Sequence, residues 1–230
     1  MKRLLVLILL LNFSFVKAQN QEVLSSDRPG QALSSSVVGN HVFQIQTGID
    51  FSNENSIFLP SSYFRYGLSK RFEINSGFIF SGSNFAENLS SLSIGARYLV
   101  SNSNNKMQSS FQFSYDFKAE ENSGQLVYIL GSSFNEKLSY TANLGINFTD
   151  NLILANTFYV FNITYSINNK IGLFAENFGA LFTSNYHFNY DTGVYYLLNN
   201  NFQLDAVIGD NDGFFIGAGF TWRVQPKNNY

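Results

Sequence analysis

The chain is written in runs in which every second residue is apolar or aromatic. Between His41 and Ser52, the residues Phe43, Ile45, Thr47, Ile49 and Phe51 share one face, and Gln44, Gln46, Gly48, Asp50 and Ser52 share the other. A period of two is that of an extended strand. Phe111, Phe113, Tyr115 and Phe117 repeat the pattern against Gln112, Ser114, Asp116 and Lys118. Tyr140, Ala142, Leu144, Ile146 and Phe148 oppose Thr141, Asn143, Gly145 and Asn147, and Phe202, Leu204, Ala206 and Ile208 oppose Gln203 and Asp205. The last run sets Phe214, Ile216, Ala218, Phe220, Trp222 and Val224 against Gly217, Gly219, Thr221 and Arg223. Soluble strands are typically ~5–6 residues long, whereas strands that cross a bilayer at a tilt need ~9–11. These runs have the longer length.

Twelve strands are predicted, over 41–52, 57–69, 71–81, 90–101, 107–118, 125–135, 138–149, 152–167, 170–178, 186–198, 201–209 and 213–224. Short polar links such as Ser69-Lys70, Asn168-Asn169 and Asn199-Asn200 follow the even strands, and longer ones such as 82–89, 119–124 and 179–185 follow odd strands. That asymmetry is the one found in outer-membrane barrels, with short periplasmic turns and longer outer loops. The expected fold class is all-β, an antiparallel up-and-down transmembrane β-barrel with both termini periplasmic. The sixth and eighth strands carry apolar residues on both faces, which leaves their register weakly specified and ten or fourteen strands open.

The first residues fit this destination. Met1-Lys2-Arg3 is a positive start, residues 4–11 are an unbroken apolar run, and Val16-Lys17-Ala18 places small or branched residues before Gln19. This is the layout of an export signal cleaved after residue 18, and its apolar run is too short for a spanning helix, which needs ~20 residues. Residues 19–40 are polar, carry Pro29 and Gly30, and do not alternate. They read equally as a flexible periplasmic lead or as a plug folded into the lumen, with Asp27 and Arg28 pairing interior charges. The barrel itself is expected over 41–230.

Composition removes several functions. Of 230 residues, 14 are basic and 16 acidic, and loss of Lys2, Arg3 and Lys17 with the signal leaves a net charge of −5. No basic stripe is present for nucleic acid. No Cys exists, so neither a disulfide framework nor a thiolate metal site can form. An aromatic content of 17% coexists with a mean hydropathy of −0.05, as expected when apolar groups face out and polar ones face in.

Four stretches also carry a resemblance. They are Ser26-Asp27-Arg28-Pro29-Gly30-Gln31 with Val42 to Gly48; Arg65-Tyr66-Gly67-Leu68 with Arg71-Phe72-Glu73-Ile74; Leu173-Phe174-Ala175-Glu176 with Asp191-Thr192-Gly193 and Gln203-Leu204-Asp205; and Gly217 to Arg223. In this order they span nearly the whole mature chain. The set resembles the bacterial family named for the meta-pathway of phenol degradation, whose members are called outer-membrane transporters. The resemblance implies a transport role, with Asp27, Arg28 and Pro29 in the family's opening motif.

A charge facing the bilayer midplane costs ~2–4 kcal/mol for Arg or Lys in a barrel. The alternation sends every mid-strand charge to the polar face: Asp50, Arg65, Glu73, Arg97, Asp116, Glu176, Asp191, Asp205 and Arg223. Arg65, Arg97 and Arg223 can then pair with Glu73, Glu176, Asp191 or Asp205 across the lumen, Arg being suited to a bidentate carboxylate. Such a cluster either braces the interior or forms a constriction that selects solutes. Twelve tilted strands enclose a backbone diameter of roughly 24 Å, and inward Phe158, Phe174, Tyr195 and Phe215 narrow it further.

Catalysis has little support. The two histidines are His41 and His187. A Ser-His-acid set would need Ser184, His187 and Asp210 or Asp212, without any elbow motif. Residues 209–213 are acidic and glycine-flanked but lack the further ligands of a calcium loop, and no metal site or cofactor is expected. The reading is a monomeric barrel in the outer membrane of a Gram-negative cell, inserted by the barrel-assembly machinery and bathed in outer-membrane lipids. It passively transports small, hydrophobic or aromatic molecules of unspecified identity. The rival is a non-conducting structural or surface-interaction barrel.

Overall fold

A computed structural model describes residues 23–53, 57–82, 88–101, 107–118, 121–182 and 188–226. Twelve strands form one closed antiparallel barrel in which each strand pairs with its chain neighbours and β12 closes on β1. They are β1 (Phe43–Ser52), β2 (Ile57–Gly67), β3 (Phe72–Ser81), β4 (Asn88–Leu99), β5 (Gln108–Lys118), β6 (Ser123–Ser133), β7 (Leu138–Thr149), β8 (Leu154–Ser166), β9 (Ile171–Leu181), β10 (Asn189–Asn199), β11 (Phe202–Asp210) and β12 (Phe214–Val224). The count is twelve, not ten or fourteen. Closure pairs every edge, which is what a sheet in hydrocarbon requires.

Some strand ends differ from the sequence expectation for local reasons. β6 begins two residues earlier, where Ser123 pairs with both Asp116 and Thr149. It stops at Ser133 because Asn135 turns the chain, its side-chain oxygen accepting from the Lys137 and Leu138 amides at 2.9 and 2.8 Å. Asn168 does the same for Lys170 and Ile171, and Ser69 for Arg71 and Phe72. Such side-chain-to-backbone bonds stabilise tight turns. They gather at one rim of the barrel, called here the near rim. β9 runs on to Leu181 because Gly179, Ala180 and Leu181 find partners in Tyr159, Phe158 and Thr157.

The burial pattern is the inverse of a water-soluble core. Outward residues such as Ile94, Phe113, Leu144, Ile216 and Trp222 are exposed, while Gln44, Gln46, Arg65, Glu73, Arg97, Thr221 and Arg223 are buried. β6 and β8, apolar on both faces in the sequence, turn Val127, Ile129 and Val160 inward and Leu126, Tyr128, Phe161 and Ile163 outward. Phe174, Val207 and Phe215 pack together inside.

Residues 24–42 lie within the barrel. The segment enters at the near rim, where the Leu24 amide donates to the Asn200 carbonyl at 2.9 Å, and leaves at the same rim, where the His41 amide donates to the Gly67 carbonyl at 2.8 Å. Gly39, at φ 99°, makes the turn that returns the chain to β1, a left-handed conformation that glycine adopts without steric cost. The expected export signal, residues 1–18, lies outside the described residues, as do Ser184 and His187.

Candidate functional site

The site is the contact between this internal segment and the polar inner wall. β2, β3, β4 and β5 place Arg65, Glu73, Arg97 and Gln112 side by side, because the ladder pairs Glu73 with Arg97 and Arg97 with Gln112. Arg65 donates from Nε to Glu73 at 2.8 Å and from Nη2 at 3.0 Å, a bidentate pair on adjacent strands. Arg97 Nε lies 3.7 Å from the same carboxylate and donates to Gln112 Oε1 at 2.8 Å.

Asp27 of the internal segment completes this group. Arg97 holds its two oxygens from Nη1 and Nη2 at 3.1 and 2.9 Å, and Arg65 Nη1 is 3.3 Å away. The Ser34 amide adds a bond at 2.7 Å. Burial acts to raise the Asp27 carboxyl, but Arg65 and Arg97 overcome it and hold the group at about 2. Both arginines also bind segment carbonyls, Arg65 at Ser36 and Arg97 at Ser34 and Ser36. Glu73 in turn accepts from the Val38 amide at 2.8 Å. Charge-assisted, forked contacts of this kind are the stronger class of hydrogen bond.

The other side of the segment is held the same way. Arg28 pairs with Asp205 at 3.2 Å. Its guanidinium lies over Gly219, where an added Cβ would stand 2.7 Å from Nε, and close to Gly48. These two glycines open the groove that admits it. The Arg28–Pro29 peptide is cis, and Pro29 and Gly30 lead to Glu176, which accepts from the Gln31 and Ala32 amides at 2.6 and 3.2 Å and from Asn162 at 2.7 Å. Asn143, fully buried, accepts from the Leu33 amide at 2.7 Å and donates to the Leu33 carbonyl at 3.1 Å, as a neighbouring strand would. Ser26 meets Thr221 at 2.7 Å, and Gln46 accepts from the Asp27 amide at 3.1 Å.

The partners therefore differ from the wall-to-wall pairing that the sequence suggests. Arg65 and Arg97 both pair with Glu73 as expected, but Arg97 binds Asp27 more closely, Asp205 takes Arg28, and Glu176 takes backbone amides. Arg223 donates to Asn201 Oδ1 and the Asn200 carbonyl in the β10–β11 turn, at 2.9 and 3.0 Å. Asp191 stands opposite Glu176 in the β9–β10 ladder. Sequence reasoning missed the neutral contacts Asn143, Gln46, Gln112, Asn162 and Thr221. Their signal was an amide or hydroxyl at an inward position, which many other inward residues share.

Between the segment and strands β7–β11 lies a cavity of about 250 Å³, lined by Asp27, Arg28, Asn162, Phe174, Glu176 and Tyr195 among others. His41, at the near rim, has its Nδ1 3.3 Å from the Tyr66 hydroxyl.

Among solved structures the chain is similar to the KdgM porin, with a TM-score of 0.67 and 12% identity over 79% of this chain and 99% of that one. It is also similar to the NanC porin, at 0.60 and 8% over 79% and 100%. An outer-membrane channel from Pseudomonas putida F1 matches at 0.54 and 9%, over 86% and 99%. No family model matches the chain. No curated protein matches it. At these identities the likeness establishes the fold, a twelve-stranded barrel of the kind built by outer-membrane porins and channels.

Proposed function

We propose that the chain is a passive outer-membrane channel for small solutes whose opening is set by residues 24–42. One observation carries this reading: the interior is polar, and the segment within it is held by hydrogen bonds and ion pairs beside a residual cavity. Water competes for such contacts, so they can be exchanged in a way that a close-packed apolar core cannot. The short-turn rim, where the segment enters and leaves, is the periplasmic side in this reading, and the barrel acts as a monomer. Hydrophobic or aromatic molecules are the proposed solutes, because Phe174 and Tyr195 line the cavity and offer ring faces beside its polar groups.

A second reading, a non-conducting barrel, is favoured by the burial of the Arg65–Glu73 and Arg97–Asp27 pairs. Planar-bilayer conductance and liposome swelling with small aromatic and aliphatic solutes separate the two. The channel reading expects flux through the full chain, and greater flux through Asp27→Asn, which loosens the segment. A folded protein that passes no solute in either form leaves the structural barrel.

A further inference from the structure

The inward-facing charges of the described residues do not balance evenly around the barrel. Glu73 and Asp27 are met by Arg65 and Arg97. Asp205 is met by Arg28, and Asp116 lies near Lys118. Arg223 is engaged at the near-rim turn. What is left is a concentration of negative charge at Glu176, Asp191 and Asp50. Arg28 lies close to Asp50, but it is already paired with Asp205.

Within this group Asp191 stands out. It is 1% exposed, and both of its carboxylate oxygens lack a hydrogen-bond partner. It projects inward directly across the ladder from Glu176, itself 6% exposed. Room for it comes from Gly209, where an added Cβ would stand 2.5 Å from the Asp191 Cβ. Two buried carboxylates set against each other are costly when both are ionised, and either a shared proton or a cation between them offsets that cost. Gln31, an exposed residue of the internal segment, sets its side-chain amide against Asp191.

We propose that Glu176 and Asp191 form a binding site for a hard, partly hydrated divalent cation, of which calcium is the best fit. The donors are carboxylate oxygens alone, which suit hard cations rather than the softer transition metals. Among the described residues no three His, Cys, Asp or Glu side chains converge in ligating geometry, so water completes the shell. Calcium tolerates irregular coordination of this kind better than magnesium, which demands a near-ideal octahedron. Glu176 also accepts the Gln31 and Ala32 amides, so the cation would sit against the carboxylate that anchors the internal segment. The site stands independently of whether the barrel conducts.

The test is terbium luminescence, sensitised by the chain's tyrosines and displaced by calcium, on the full chain folded in detergent, with folding checked by heat-modifiable gel mobility. Calcium should displace terbium with an affinity in the range of weak extracellular sites, ~0.1–1 mM. Asp191→Asn should weaken calcium binding by more than about tenfold, the least expected for losing a direct ligand. Glu176→Gln should weaken it too, and serves if Asp191→Asn fails to fold. Asp150→Asn, in an exposed turn, should bind as the parent does. Absence of calcium-displaceable luminescence at millimolar calcium, or unchanged binding in both folded lumen variants, overturns the proposal.

Discussion

Asp27 is the residue on which the segment's docking turns, and its charge can be tested directly. Its folded value of about 2 lies below the ordinary 3.8, so the docked state favours the ionised form. The resulting stabilisation is fully present above pH 3.8 and is lost as pH falls through about 2, and it is worth roughly 2 kcal/mol. The segment should thus stay docked at pH 6 and loosen toward pH 2, seen as an increase in single-channel current. In Asp27→Asn the loosening should be smaller, the remainder coming from Glu73, Glu176 and Asp205, which also hold the segment as carboxylates. A parent protein whose segment behaves alike at pH 6 and pH 2 contradicts the role given to Asp27. The sequence made Asp27 and Arg28 visible as charges in a polar stretch, but not their partners. Which wall charge Asp27 meets depends on the path of the segment, and that path is set by neutral contacts such as Asn143 with Leu33, whose inward amide looks like any other.

At the scale of strands the pattern was far more readable, because a period of two leaves only two faces and the charges mark one of them. A slip of one residue would turn every side chain of a strand over. The chain has no Cys, so single introduced cysteines report without background. On β5, Ser110 is buried and Phe111 is 43% exposed. A polarity-sensitive label on Phe111→Cys should read hydrocarbon in a bilayer, and one on Ser110→Cys should be shielded from lipid quenchers. The reverse result refutes the register. Strand ends were less legible, since they depend on turn chemistry and on pairing that the alternation does not encode. β6 stops where Asn135 caps the turn, and Asn135→Ala should cost ~1 kcal/mol in urea unfolding, the usual worth of one or two such bonds.

For the whole molecule, the twelve-stranded closure follows from an inside-out distribution that composition alone only hinted at. Apolar side chains face outward and the polar ones bind a strip of the chain's own backbone, so the interior is largely a buried polar contact rather than an apolar core. That arrangement has an electrostatic consequence beyond any single pair. Among the described residues the inner surface and its segment carry Asp27, Asp50, Glu73, Asp116, Glu176, Asp191 and Asp205 against Arg28, Arg65, Arg97, Arg223 and, at the rim opposite the short turns, Lys118. The formal surplus is negative, and carboxylates lining a narrow pore favour cations. Any conductance of the full chain should therefore show a reversal potential toward cation preference in a potassium chloride gradient. Removing both carboxyls in Glu176→Gln with Asp191→Asn should reduce that preference, because no guanidinium offsets the charge of that pair, whereas Asp150→Asn in its exposed turn should leave it unchanged. An anion-preferring current would mean that the arginines, rather than the Glu176–Asp191 pair, face the conducting path.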